Sequence, residues 1–276
     1  MINLGLSLKS IDFKNILKFP RQLIIGLIAQ ILILPAIAFA IANLSGLSTE
    51  MKIGIMLIAA CPGGAVSNLI TYFLKGDVSL SVTLTTANSV LILFSLPAII
   101  YFSLFHFLDQ ASYINISVAE TILKVLLMII LPTILGMLIR HRNKIMAQKL
   151  ESIFKYLSVI LLALVYTLVI FEKNDGSISK VNEYLSVAPW VLLLNLAGML
   201  TGYLLAKINR LDVSKQITLS VEVGIQNSAL AITIASSTAF LGNHQMAIPA
   251  VVYGMFTFFS AVIFGLLIRK FTKKQQ

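Results

Sequence analysis

Of the 276 residues, 58% are hydrophobic and only 12% are charged, with a mean hydropathy of +0.93. A soluble domain clothes itself with about 25% charged residues, so this composition excludes a soluble globular protein and points to a polytopic membrane protein. The single cysteine, Cys61, excludes an internal disulfide and any multi-cysteine metal site, and the formal charge of +10 is informative only through its placement.

A hydrocarbon core of roughly 30 Å needs about 20 apolar residues per helix. Runs of that kind fall at about 22–42, 53–75, 79–107, 119–139, 153–171, 186–206, 215–240 and 246–268. Their length and lack of period-2 alternation predict helices rather than a β-barrel. Short connections leave no soluble domain. In the first run, Gln30 is the one strongly polar side chain within 23–42, and by itself it reads as glue between helices. The second run is interrupted by Pro62-Gly63-Gly64 and resumes with Ser67 and Asn68, and the third opens with Ser81 and Thr85. The seventh, "KQITLSVEVGIQNSALAITIASSTAF", carries Glu222, Gly224, Gln226, Asn227 and Ser228 almost consecutively. Seventeen of the 21 Lys and Arg lie on the side of the N-terminus, against Lys52, Lys173 and Lys180 opposite, with Lys124 just inside a span. The positive-inside rule then places both termini in the cytoplasm of a cell (inner or plasma) membrane. Topology accounts for the basic charge, and nucleic acid is not an expected partner.

Either interrupted run alone is compatible with ordinary helix packing, since Pro, Gly, Ser and Thr are common in membrane helices. Together they match transporters built from internal repeats, which place a Gly/Pro-interrupted helix in each half. Glu222 lies seven positions past Lys215, about 10 Å into the bilayer. A carboxylate there costs a few kcal/mol, and such residues usually line ion or substrate paths. An ion pair with Lys124 or Lys155 and a proton-carrying role are the alternatives. The neighbouring Ser/Thr hydroxyls, amide oxygens and unwound carbonyls are hard ligands and favour a metal cation. A broken helix frees carbonyls for that cation, and the N-terminus of its second half favours an anion. His106, His141 and His244 are scattered over span ends and loops, and no nucleophile–base pairing or metal-ligand spacing suggests an enzyme.

The segments "CPGGAVSNLITYFLKGDVSLSVTLT" and "VEVGIQNSALA" resemble the two signatures of the bile acid:sodium symporter family, and "DFKNILKFPRQLIIGLIAQILILPAIAF" resembles that family's third helix. The resemblance covers essentially the whole chain. It implies an all-α, ten-helix fold of two inverted five-helix repeats, with panel and core parts and two discontinuous crossing helices. Eight of those helices are present in this single transporter domain, 1–276. Residues 1–110 would be a first repeat two helices short, 117–172 panel helices, and 186–276 core helices of the second repeat. "MINLGLSL" resembles the tail of the family's second helix, so a longer functional unit is expected. The implied activity is import of a small organic anion coupled to two sodium ions, by alternating access. A sodium-independent or proton-coupled carrier, or an efflux protein of related fold, is the alternative, and a sensor on the same scaffold a more distant one.

Carried over by motif, one sodium site would use Ser67, Asn68, Ser81, Thr85 and Glu222. The other would use Gln30, Glu222, Gln226 and the carbonyls of Val223 and Ile225. Substrate would be met by Ala65, Asn227, Thr257 and Phe258. The family often has a hydroxylated residue where Ala65 stands and a His-Asn pair where Thr257 and Phe258 stand. Bile acid itself is therefore not implied. Two Na⁺ beside one carboxylate leave one positive charge for an anionic substrate to neutralise. Net movement of one charge would draw about 2.3 kcal/mol per 100 mV from the membrane potential. The expected partners are that anion and membrane lipid, with the chain a monomer. Cys61 is expected to pack rather than react.

Overall fold

The structure is a computed structural model that describes Leu6 and residues 20–108, 118–153, 157, 177–238 and 240–273. Among these residues there is no strand. The helices that position the site are α1 Pro20–Leu44, α2 Thr49–Ala60, α3 Ala65–Phe73, α4 Val78–Phe107, α5 Val118–Arg142, α6 Ser177–Ile208, α7 Val213–Gly224, α8 Ser228–Ser236 and α9 Ile248–Lys273. The two interrupted runs are interrupted in space: α2 and α3 are separated at residues 61–64, and α7 and α8 at 225–227. The run at 153–171 falls almost wholly outside the described residues, as do most side chains of 119–130. Five described helical segments are long and apolar enough to cross a membrane, among them Pro20–Leu44, Val78–Phe107 and Val213–Ser236.

These helices carry their apolar stripes outward. On α1, exposed Ile24, Ile28 and Leu32 recur every four residues, while Gly26, Ala29 and Gln30 are buried. On α6, exposed Leu192, Leu196, Leu200 and Leu204 repeat the pattern, with Asn195 and Met199 turned inward. That is the arrangement a hydrocarbon solvent selects: apolar groups face lipid, and polar side chains collect where other helices can satisfy them. The inner contacts are close. A Cβ on Gly198 would lie 2.8 Å from the carbonyl oxygen of Val223, and one on Gly202 would overlap the carbonyl of Leu219. The small-xxx-small spacing of Gly198 and Gly202 thus brings the backbones of α6 and α7 together.

Two corners are built alike. After α3, Gly76 N–H donates to Thr71 O at 2.8 Å and Lys75 N–H to Tyr72 O at 3.0 Å, with Lys75 left-handed at φ 56°. After α6, Leu211 N–H donates to Ala206 O and Arg210 N–H to Lys207 O, with Arg210 at φ 55°. Both are Schellman terminations, each with a basic residue where glycine is usual. Two residues after each, an aspartate caps the next helix: Asp77 accepts from Leu80 N–H and Asp212 from Lys215 N–H, both at 3.0 Å. Burial pushes the Asp212 carboxyl up, but hydrogen bonds and charge from Lys215 more than offset this and hold it below its ordinary value.

Candidate functional site

The two breaks meet. Asn227 N–H donates to Pro62 O at 2.9 Å, tying the interruption of one helix to that of the other. Around this tie, α2 packs on α8 and α3 packs on α7, so each half-helix lies against the opposite half of its partner. Pro62 cannot donate, and the glycines after it have no side chain to cap α3. Gly64 at its N-cap makes no side-chain bond. The second break caps itself: the Asn227 side chain accepts from Leu230 N–H at 3.0 Å.

Glu222, on the last turn of α7, is fully buried. One carboxylate oxygen accepts from the Ser81 hydroxyl at 2.5 Å and the other from Thr85 at 3.0 Å. These two hydroxyls are one turn apart on α4, which is why they reach the two oxygens of one carboxylate. The Asn68 amide oxygen lies 2.6 Å from Ser81 Oγ and 3.4 Å from Thr85 Oγ1. Ser67 is fully buried and donates to Gly64 O at 2.8 Å. A Cβ built on Gly63 would sit 2.9 Å from Glu222 Oε2, 3.1 Å from Ser67 Oγ and 3.5 Å from Ile225 O. Gly63 therefore leaves a space on which a carboxylate, a hydroxyl and an unwound carbonyl converge, and any side chain would fill it. Ser67, Asn68, Ser81, Thr85 and Glu222 are brought together as one oxygen cluster.

The second expected set is arranged differently. Gln30 sits in a π-helical turn of α1, Ala29–Ile33, a widened turn that is frequent at functional sites. Its Nε2 donates to Glu222 O at 2.7 Å, and its Oε1 accepts from Asn88 Nδ2 at 3.0 Å. A carbonyl can only accept, so the group facing Glu222 O must be the amide NH₂, and the amide oxygen is left to Asn88. Gln226 Nε2 donates to Val223 O at 2.9 Å, while Gln226 Oε1 is buried with no hydrogen-bond partner. Buried acceptors are nearly always satisfied, so this oxygen beside an unwound turn is a feature a cation would explain.

Four contributors are not singled out by the sequence. Asn88 orients Gln30. Asn195 Nδ2 and Tyr253 Oη donate to Gly224 O at 2.6 and 2.5 Å, and Ser260 Oγ donates to Asn195 Oδ1 at 2.6 Å. The carbonyl that ends α7 is thus clamped by α6 and α9. Lone polar residues in apolar helices carry no periodic signal, and only the presence of Asn or Tyr within a span hinted at these roles.

Of the residues expected to meet substrate, Ala65 opens α3 beside Gly64, and the Asn227 amide lies near Gly64, 3.5 Å from where its Cβ would be. The Thr257 hydroxyl is buried and donates to Tyr253 O, and Phe258 is exposed with its ring against Phe259. The side chain of Lys124, and Lys155 entirely, lie outside the described residues.

The family model of the Sodium Bile acid symporter family matches residues 1–181. The chain is 29% identical over 276 residues to an uncharacterized sodium-dependent transporter, YocS, of Bacillus subtilis, covering all of this chain and 82% of that protein. It is 29% identical over 252 residues to the probable chloroplastic sodium/metabolite cotransporter BASS1 of Arabidopsis thaliana, covering 91% of this chain and 60% of that one. It is 26% identical over 240 residues to the ileal sodium/bile acid cotransporter of Oryctolagus cuniculus, covering 85% of this chain and 66% of that one. With interrupted helices meeting at a buried carboxylate, and with a family match over most of its length, the chain belongs to the Sodium Bile acid symporter family, whose members are membrane transporters and not enzymes.

Proposed function

We propose that this chain works as a sodium-coupled symporter that carries a small organic anion across the membrane by alternating access, with Glu222 at the centre of the ion machinery. The observation that carries this reading is the fully buried Glu222 carboxylate, ringed by Ser81, Thr85, Asn68 and Ser67 at the meeting of two helix breaks. A cation on the Gly63 side of this carboxylate would replace hydration with a carboxylate, hydroxyls and an unwound carbonyl, a hard donor set suited to Na⁺. A second sodium would use the free Gln226 Oε1 and the carbonyls of Val223 and Ile225, and would recruit Gln30 only after its amide turned away from Asn88. Sodium is cargo here, its release coupled to that of the anion. The uncapped N-terminus of α3 at Gly64 favours the anion's negative charge, with Ala65 and Asn227 at hand. Thr257 and Phe258 would shape the remainder of the substrate site. In this reading residues 1–110 and 186–276 are core and 117–172 panel, and the face bearing Lys75 and Lys215 is cytoplasmic.

The test is uptake by proteoliposomes over a panel of small organic anions, with and without an inward sodium gradient, beside melting temperature in detergent against sodium with potassium as the ionic-strength control. Sodium-dependent uptake and a sodium-specific rise in melting temperature are expected, because a ligand that binds only the folded state stabilises as RT ln(1 + [L]/Kd). A melting temperature that follows pH but not sodium would replace this reading with proton coupling.

A further inference from the structure

Below the Glu222 cluster, the same three helices repeat an oxygen-bearing residue one turn closer to the membrane edge. On α3, Thr71 follows Ser67 by four residues. At the start of α4, Asp77 precedes Ser81 by four, and on α7 Thr218 precedes Glu222 by four. Four residues of helix are about 6 Å, a spacing over which a cation can pass from one set of ligands to the next. Thr71 and Thr218 are both fully buried. Thr71 Oγ1 lies 3.4 Å from Ser81 Oγ, the hydroxyl that donates to Glu222, so the two tiers touch. Thr218 donates to Ser214 O at 2.9 Å, as threonines in helices commonly do, but its oxygen also accepts the backbone N–H of Asp77 at 2.8 Å. The turn that delivers this N–H is packed hard against both threonines: a Cβ on Gly76 would lie 2.7 Å from Thr71 Cγ2 and 2.8 Å from Thr218 Oγ1. The lower tier is assembled and plugged.

We propose that Thr71 and Thr218 form a transit site for the cation between Glu222 and the membrane face bearing Lys75, closed in this conformation by the turn at Gly76-Asp77. The inference rests on the sodium-coupled reading above. Neutral hydroxyls suit a transit position, because they replace part of the ion's hydration without the charge that would trap it. When the turn withdraws, Thr218 loses the Asp77 N–H and its oxygen is released to the ion. The Asp77 carboxylate, carried on the closing turn itself, would draw cations toward it.

Cysteine accessibility tests this without knowledge of the substrate. In a Cys61→Ala background, Thr71→Cys and Thr218→Cys are placed in vesicles and treated with cationic or anionic methanethiosulfonates of similar size. A cation route predicts reaction with the cationic reagent in sodium-free potassium buffer, at least about 10-fold faster than with the anionic one, and slowed by sodium. No reaction at either position, or equal rates with both reagents regardless of sodium, would overturn the route. Should Thr218→Cys not yield folded protein by gel filtration, Thr71→Cys decides alone. The parent's sodium-dependent melting separates the two ideas. If it is present and the cysteines are inert, the transit site fails and the sodium reading stands; if it is absent, both fail.

Discussion

The two interrupted helices reach the same point by opposite means. The first break, Pro62-Gly63-Gly64, supplies space: no side chain caps α3, Pro62 contributes only an acceptor, and Gly63 leaves room beside Glu222 Oε2. The second, at 225–227, supplies groups: the Glu222 carboxylate just before it, the unpaired Gln226 oxygen within it, and Asn227, which caps α8 and bonds to Pro62. One helix provides a vacancy and the other provides charge and polar atoms. Two polar breaks facing each other would crowd, and two glycine breaks would offer only carbonyls. Their complementarity explains how a single carboxylate can sit deep in an apolar protein.

Removing the charge should break the pairing most severely. Attraction between a carboxylate and an ion some 2.5 Å away is worth several kcal/mol even at an effective dielectric near 20. Glu222→Gln should therefore abolish the sodium-dependent rise in melting temperature, and an unchanged sodium response would reject Glu222 as the shared centre. Filling the vacancy comes next. Gly63→Ala puts a methyl 2.9 Å from Glu222 Oε2, and overpacking of this kind costs about 1–3 kcal/mol. A fall of roughly tenfold or more in apparent sodium affinity is expected in the same melting assay. Gly64→Ala is the control, since its methyl meets the Asn227 amide at ordinary contact distance, 3.5 Å, and should leave the sodium midpoint nearly unchanged. If the two alanines behave alike, the vacancy is not local to Gly63.

Smaller effects sharpen the contrast. Ser81→Ala and Thr85→Ala each delete one neutral oxygen beside Glu222 and should weaken sodium stabilisation without abolishing it, by about 1 kcal/mol apiece. Asn227→Ala removes the α8 cap at a cost of about 1 kcal/mol, read as a lower denaturation midpoint in sodium-free buffer. No matching loss is expected for the first break, whose helix has no side-chain cap to lose. Tyr253→Phe is the mildest, because Asn195 still donates to Gly224 O. About 1 kcal/mol or less of stability should go, with the sodium midpoint held.

Much of this architecture is legible in the sequence. Pro62-Gly63-Gly64 and Glu222-x-Gly224 announce interruptions because proline and glycine act on the backbone wherever they stand, and Glu222 is conspicuous because its burial is costly in any membrane setting. Gln30 was visible as a lone amide, but not the end of the amide it would use. Asn88, Asn195 and Tyr253 were hidden among residues that serve equally well as helix glue.

The sequence by itself determined where the apolar runs of the described residues lie, the two places where helices must yield, and the one carboxylate that must find a reason to be buried. Each of these follows from run length, backbone chemistry or desolvation cost, which are properties of a residue and its near neighbours. Tertiary structure decided that the two breaks meet, that Gly63 rather than Gly64 opens onto the carboxylate, and that Gln30 turns its NH₂ to Glu222 O and its oxygen to Asn88. Gln30 and Glu222 are 192 positions apart. Hydrogen bonds of that range depend on how three helices are set against one another, and the order of side chains along any one of them does not specify it.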